Sequence, residues 1–309
     1  MKGITHHAAG AAVLLAVALA GCRPVDPAAA PTQPEATRPT EAVALLAQDL
    51  RRNDLAAYAR HALPPDLHAR VETRWREGAT TWPLSELPLH AQVPAMLGAL
   101  SAPDAEQVLM DKYRAQFAGA HGELRSTAAA LGLFAAQYVQ GEPRYSDSER
   151  DHYVQAIAAL GRWGQQAPLG DPERAQVLLS TLAAAARATR IDGPEALAAA
   201  GMADGLSRLA PFAAAFKQVL AAQYGLDLDA ALDSVQVDEL DRTGDQARVR
   251  LRYTLAGTAV DTEVRVERRG ERWYLTDLLR HALEQVTAAD STPLPAAPDV
   301  APPTTAATD

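Results

Sequence analysis

Residues 247–266 read Ala-Arg-Val-Arg-Leu-Arg-Tyr-Thr-Leu-Ala-Gly-Thr-Ala-Val-Asp-Thr-Glu-Val-Arg-Val. In an extended chain Ala247, Val249, Leu251, Tyr253 and Leu255 fall on one face, and Arg248, Arg250, Arg252 and Thr254 on the other. A period of two is that of a half-buried strand, not of a helix. Beyond Gly257 the alternation resumes, with Val260, Thr262, Val264 and Val266 against Asp261, Glu263, Arg265 and Glu267. Two such runs around Ala256 and Gly257 predict an antiparallel hairpin. The acidic row opposite the arginines points to cross-strand ion pairing rather than to an anion-binding face.

Working outward, Val235 and Val237 offer an earlier strand, and after the turn at Gly270 the residues Trp273 and Leu275 offer a last one. Ahead of them a helix is expected with Pro211 near its start and Phe212, Phe216, Val219, Leu220 and Tyr224 on its faces. The fold class is therefore α+β: a multi-helix N-terminal region followed by a helix packed on a four-stranded antiparallel meander.

Between Glu41 and Tyr224 the signals are helical. Val43, Leu46, Leu50, Leu55 and Tyr58 recur every three or four residues until Pro64 and Pro65. Ser146 with Glu149 fits a capping box, and Asp171-Pro172 fits an N-cap followed by an N1 proline. Asp192, Gly193 and Pro194 repeat that device, and Ser207 reads as a cap before Pro211. Of 309 residues 67 are alanine, so the apolar share of 48% promises a thinly filled, mainly helical core.

Both ends differ from this body. Arg23 to Thr40 holds five prolines among Ala, Thr and charges, the composition of a semi-extended tether, and the stretch from Ala288 to Asp309 is likewise Pro/Ala/Thr-rich and reads as disordered. At the start, Lys2 precedes an apolar run from Ala8 to Leu19, too short to span a bilayer as a mature helix. The segments are thus a signal peptide at 1–21, a tether at 22–40, a helical domain at 41–203, an α+β domain at 204–287 and a tail at 288–309.

Leu19, Ala20, Gly21 and Cys22 match the lipobox of bacterial lipoproteins, and this part of the chain resembles a lipoprotein signal. The resemblance implies that Cys22 becomes the acylated mature N-terminus. Arg23, in place of the aspartate that favours inner-membrane retention in enterobacterial lipoproteins, implies an outer-membrane destination facing the periplasm. Residues 204–285 resemble the small α+β domains of the nuclear-transport-factor-2-like (NTF2-like) and cystatin-like group, through the helix before the meander and the ending Gly270-Glu271-Arg272-Trp273-Tyr274-Leu275.

Motifs that carry chemistry are missing. The six histidines beyond the signal, at 61, 68, 90, 121, 152 and 281, show no i, i+4 pairing and no H-E-x-x-H, and no metal or cofactor is expected. Gly205-Leu206-Ser207-Arg208 lacks the second glycine of a nucleophile elbow, and the three lysines form no phosphate-binding loop. Asp227, Asp229 and Asp233 read as a helix cap and solvated neighbours rather than as catalytic carboxylates. A net charge of -9 with no basic block excludes nucleic acid as a natural partner. Trp75 between Arg74 and Arg76, with Trp82-Pro83 nearby, forms a candidate interaction surface; the alternative is that both indoles fill the core.

The expectation is a lipid-anchored cell-envelope protein, joined to the membrane through Cys22, whose body is a non-catalytic binding or assembly module for an envelope protein or a small ligand. The alternative is a periplasmic hydrolase whose site forms only in three dimensions. A pocket gathering several histidines or buried carboxylates would favour the hydrolase, and a Trp-lined groove would favour binding.

Overall fold

In the computed structural model Leu255 and Thr258 are partners across a two-residue turn, with Ala256 at φ 49° and Gly257 at φ 75°. Two positive φ values give the turn whose twist matches that of the flanking strands. The described residues are 35–87 and 90–288; the signal segment, Cys22, residues 23–34 of the tether and residues 289–309 of the tail lie outside them.

The hairpin is the middle of a sheet of β1 (Gln236–Thr243), β2 (Gln246–Leu255), β3 (Thr258–Arg269) and β4 (Arg272–Leu275), antiparallel throughout and in the order β1-β2-β3-β4. The faces are as expected: Ala247, Val249, Leu251, Leu255, Val260, Thr262 and Val266 are buried. The arginine row pairs diagonally. Arg250 stands opposite Glu263 but bonds Asp261 at 2.7 Å, and Arg248 stands opposite Arg265 but reaches Glu263 at 2.8 Å and also Asp241. Arg248 thereby turns away from the like charge directly across the ladder.

Before the sheet come α1 (Pro39–Arg51), α2 (Leu55–Ala62), α3 (Pro65–Arg76), α4 (Val93–Ser101), α5 (Ala105–Gln116), α6 (His121–Gly141), α7 (Asp147–Gln166), α8 (Pro172–Thr189), α9 (Pro194–Ala200), α10 (Met202–Tyr224) and α11 (Leu228–Asp233). A last helix, α12 (Thr276–Ala288), follows β4. Three predicted caps form: Ser146 and Glu149 exchange both bonds of a capping box, Asp171 accepts from the amides of Glu173 and Arg174, and Asp227 accepts from that of Ala230. Asp192 does not cap α9; Gly193 holds the N-cap position without a side-chain bond.

Several expectations are corrected. Residues 35–40, assigned to the tether, are structured: the Trp273 amide donates to Ala36 O at 2.8 Å, Arg272 pairs with Glu35, and α1 begins at Pro39. Pro211 lies inside α10 rather than near its start, and the Ser207 hydroxyl donates back to Ala203 O at 2.8 Å instead of capping. The inward face of the sheet is covered by α1, whose Ala42 and Val43 join Ala36 against Ala247, Val249, Leu251, Val266 and Trp273, and at the hairpin end by α7, whose Ala156 and Ala159 join Leu255 and Val260. Helix α10 packs chiefly on α8 and α2.

The boundary expected at 203/204 runs through the start of α10. The largest core cluster joins Leu63, Val71, Trp75 and Leu97 to Leu206, Tyr274, Leu279 and Val286, so the C-terminal helix closes the N-terminal helices. The described residues, 35–87 and 90–288, form one compact unit. The candidate interaction surface at Trp75 and Trp82 is core as well, with 1% and 0% of each residue exposed. The Trp75 indole donates to Leu197 O at 3.0 Å, tying α3 to α9.

Val249→Asp should abolish cooperative thermal unfolding, because an unpaired carboxylate under α1 costs several kcal/mol, a large share of a domain's about 5–15 kcal/mol of stability. Arg250→Ser on the exposed face should cost less than about 1 kcal/mol. Equal losses in the two melting curves would refute the assignment of faces.

Candidate functional site

With α1 across one part of the sheet, α10 stands off from the rest, and a cavity of about 450 Å³ remains between them. Val43, Leu46, Ala47 and Leu50 of α1 line one wall, and Leu251, Tyr253 and Leu255 of β2 another. Leu55 and Tyr58 of α2, Ala213 and Lys217 of α10, Leu228, Ala231 and Leu232 of α11, and His152 of α7 complete most of the rest. The volume lies within the roughly 300–1,000 Å³ range of small-molecule sites.

Its polar groups are few and differ in character. Lys217 is the one charged side chain in the lining, and it is buried. Its ammonium donates to Leu50 O at 2.9 Å and to Arg51 O at 3.4 Å, and pairs with Asp229. A cation on the last carbonyls of α1 meets the negative end of the helix dipole. The same helix end is closed by Asn53, at φ 59°, whose amide donates to Leu50 O while that of Asp54 donates to Asp49 O. This is a Schellman closure with asparagine in the left-handed position. Asn53 Oδ1 is buried without a hydrogen-bond partner and belongs to the lining.

At the other side His152 Nε2 and Tyr253 Oη are 2.8 Å apart. Burial pulls the imidazole pKa down, against a smaller opposing pull from Asp151, and burial pushes the phenol up to about 12. Both groups are thus neutral at pH 7, and they satisfy each other within an apolar wall. Burial also raises the Tyr58 phenol. No carboxylate is among the lining residues. The surface offers shape and apolar area, an ammonium already neutralised by its own aspartate, and one acceptor in search of a donor.

The remaining titratable groups are committed to structure. Asp227 caps α11, Asp229 holds Lys217, and Asp233 bonds Arg51 at 2.8 Å. His281 sits between two carboxylates, with Nδ1 2.8 Å from Glu86 and Nε2 3.2 Å from Glu149. Arg280 reaches the same Glu149 at 2.6 Å and Asp277 at 3.3 Å, and Asp277 accepts from the Ser146 hydroxyl at 3.0 Å. With Nδ1 on Glu86 and Nε2 facing Glu149 and, at 3.0 Å, the Arg280 guanidinium, this imidazole is engaged on both sides; it clips α7 to α12. His61 Nδ1 lies 2.7 Å from buried Asp49, and its Nε2 is buried without a partner. Neither histidine lines the cavity. Among the described residues no group of three or more His, Cys, Asp or Glu side chains is placed to hold a metal ion.

Sequence reasoning did not single out any wall of this cavity as a site. Leu46, Leu50, Tyr253 and Leu255 were legible only as buried faces, and the gap between two faces leaves no mark in a one-dimensional pattern.

The Glu86–His281–Glu149 clip generates a pH dependence. Burial lowers the His281 pKa, but the hydrogen bond to Glu86 and the charges of Glu86 and Glu149 outweigh it, so the folded value stands above 6.5. Its stabilisation is fully present below 6.5 and is lost as pH rises through the raised folded value. Glu149, raised above 4.5 chiefly by burial, acts with the same sign at more acidic pH. In thermal unfolding followed against pH, the gap between the wild type and His281→Gln should therefore be widest on the acid side of 6.5 and narrow toward alkaline pH. A gap that widens as pH rises would contradict the clip.

No protein-family model matches this chain, and no curated protein or solved structure is significantly similar to it.

Proposed function

We propose that this is a lipid-anchored cell-envelope protein whose body is a non-catalytic binding module, taking an apolar chain-like molecule into the cavity between α1, α10, α11 and β2. The observation that carries the binding reading is the lining: leucines, valines and alanines, most of them from four helices and two strands, with a single charged side chain that its own aspartate neutralises. Each methylene buried there contributes about 0.8 kcal/mol, so an acyl chain gains affinity along its length without a charged head group. The unpartnered Asn53 Oδ1 is suited to a hydroxyl or amide N–H on the ligand. The hydrolase alternative called for several histidines or buried carboxylates converging in one pocket; this one holds His152 alone, bonded to Tyr253.

The anchor rests on Leu19-Ala20-Gly21-Cys22, and the outer membrane facing the periplasm on Arg23. Two or three acyl chains on Cys22 would hold the protein far more firmly than one, whose membrane binding is marginal. The partners proposed are the membrane, through Cys22, and the apolar ligand.

Two measurements test the two halves separately. Ala213→Phe projects a ring into the cavity and should weaken binding of a fluorescent polyene fatty acid by about tenfold or more, equivalent to about 1.4 kcal/mol, with the melting temperature retained. Undiminished binding in the folded variant would sink the cavity reading. In cells, Cys22→Ser should release the protein from the membrane fraction or leave it unprocessed. A processed Ser variant that still fractionates with membranes would end the lipoprotein assignment.

A further inference from the structure

Helix α6 is built inside out. Among the described residues it packs on α7, and of its 21 residues only Val139 is buried. The seam with α7 is made of small residues: a Cβ added to Gly132 would lie 3.4 Å from the Gly161 Cα, and one added to Gly164 would lie 3.1 Å from the Ala128 Cβ. Its large apolar side chains point the other way. Leu131, Leu133, Phe134 and Tyr138 are 60%, 65%, 66% and 52% exposed. A helix covering a water-soluble core does the reverse. From Ser126 to Gly141, 16 residues pass without a charge.

We infer that the outward face of α6 is a membrane-contacting surface that embeds in the interfacial layer of a phospholipid bilayer. Three observations favour lipid over a second copy of the chain. At 100° per residue Leu133, Phe134, Tyr138 and Leu131 fan over about 160° of the helix, a broad convex face suited to a fluid interface rather than the narrow seam of a helix pair. Phe134 and Tyr138 supply the aromatic side chains that interfacial helices use. Finally, 12 residues separate Cys22 from Glu35, a reach of about 45 Å when extended, comparable with the width of a body this size. An anchored chain therefore places α6 within reach of the bilayer.

The inference rests on the anchor reading only for delivery, and its test removes the anchor. Cys22 is the single cysteine of the chain, so in the full chain carrying Cys22→Ser a cysteine introduced as Leu133→Cys on α6, or as Leu240→Cys on β1 for control, takes a polarity-sensitive fluorophore alone. With vesicles of phosphatidylethanolamine and phosphatidylglycerol, emission from position 133 should shift to the blue and its access to an aqueous quencher should fall severalfold, while position 240 stays in water. Adding Leu131→Ser with Phe134→Ser should remove most of the shift. A label at 133 that remains aqueous on vesicle-bound protein overturns the inference. So does a blue shift that appears without vesicles and grows with protein concentration, which would mean that a second copy covers the face. Because acylation plays no part here, this result and the fractionation of the Cys22→Ser variant fail independently.

Discussion

The placement of α1 on the inward face of the sheet is the constraint from which the rest of the architecture follows. At its N-terminal end the preceding residues join the sheet edge, through Ala36 O and the Glu35–Arg272 pair. At its C-terminal end the last carbonyls are taken by Lys217 and by the Asn53 closure. Between these fixed ends Ala42 and Val43 close against Val249 and Leu251, whereas Leu46, Ala47 and Leu50 face space. A helix held at both ends cannot tilt to fill the gap, and α10 cannot close on it without displacing the Lys217–Asp229 pair. The cavity thus persists because the polar contacts at its edge set a spacing that the apolar walls alone would not keep.

Lysine is rare in this chain, three residues against 26 arginines, and Lys217 is buried. A compact ammonium can serve two carbonyls and a carboxylate converging on one point, which a planar guanidinium, with donors splayed in a fork, does less well. The arginines do the opposite task. Those on the sheet reach diagonally across strands to acids, and Arg280 bridges Glu149 and Asp277 at the junction of α7 and α12. Much of the charge on the body is absorbed by such pairs.

How much of this was legible depended on whether the signal was local. The hairpin was, because alternation over Ala247–Val266 assigns each side chain to a face and the two-residue turn fixes the register. The caps at Ser146, Asp171 and Asp227 were legible for the same reason: a cap is a relation between residues two or three apart. The helix on the sheet was not, since proximity in sequence favoured α10 and the fold chose α1, some two hundred residues from its strands. Trp75 and Trp82 show the limit of composition: flanking arginines suggested a surface, but each indole sits where helices distant in sequence converge. Helix α12 was hidden behind β4, where Trp273 and Leu275 read as the end of the sheet with no cap to announce a new element. The cavity had no local signature at all, because it is made of faces that are each ordinary.

Helix α6 was passed over for a related reason, and the reason bears on its role. Its small residues face α7 while its large ones are spread around the far side, so apolarity is nearly uniform around the axis and no amphipathic stripe marks it. Uniform apolarity in a helix packed on one side only is what a helix shared between protein and lipid requires: glycine and alanine permit close approach to α7, and Leu131, Leu133 and Phe134 supply the area to be withdrawn from water. The charge pattern fits the same constraint. A chain of net charge -9 is repelled by an anionic bilayer, but beyond the Debye length of about 8–10 Å exposed charges are largely screened, so what matters is what lies at the point of approach. There the chain offers the 16 uncharged residues from Ser126 to Gly141, and the exposed area of Leu131, Leu133 and Phe134 carries the contact.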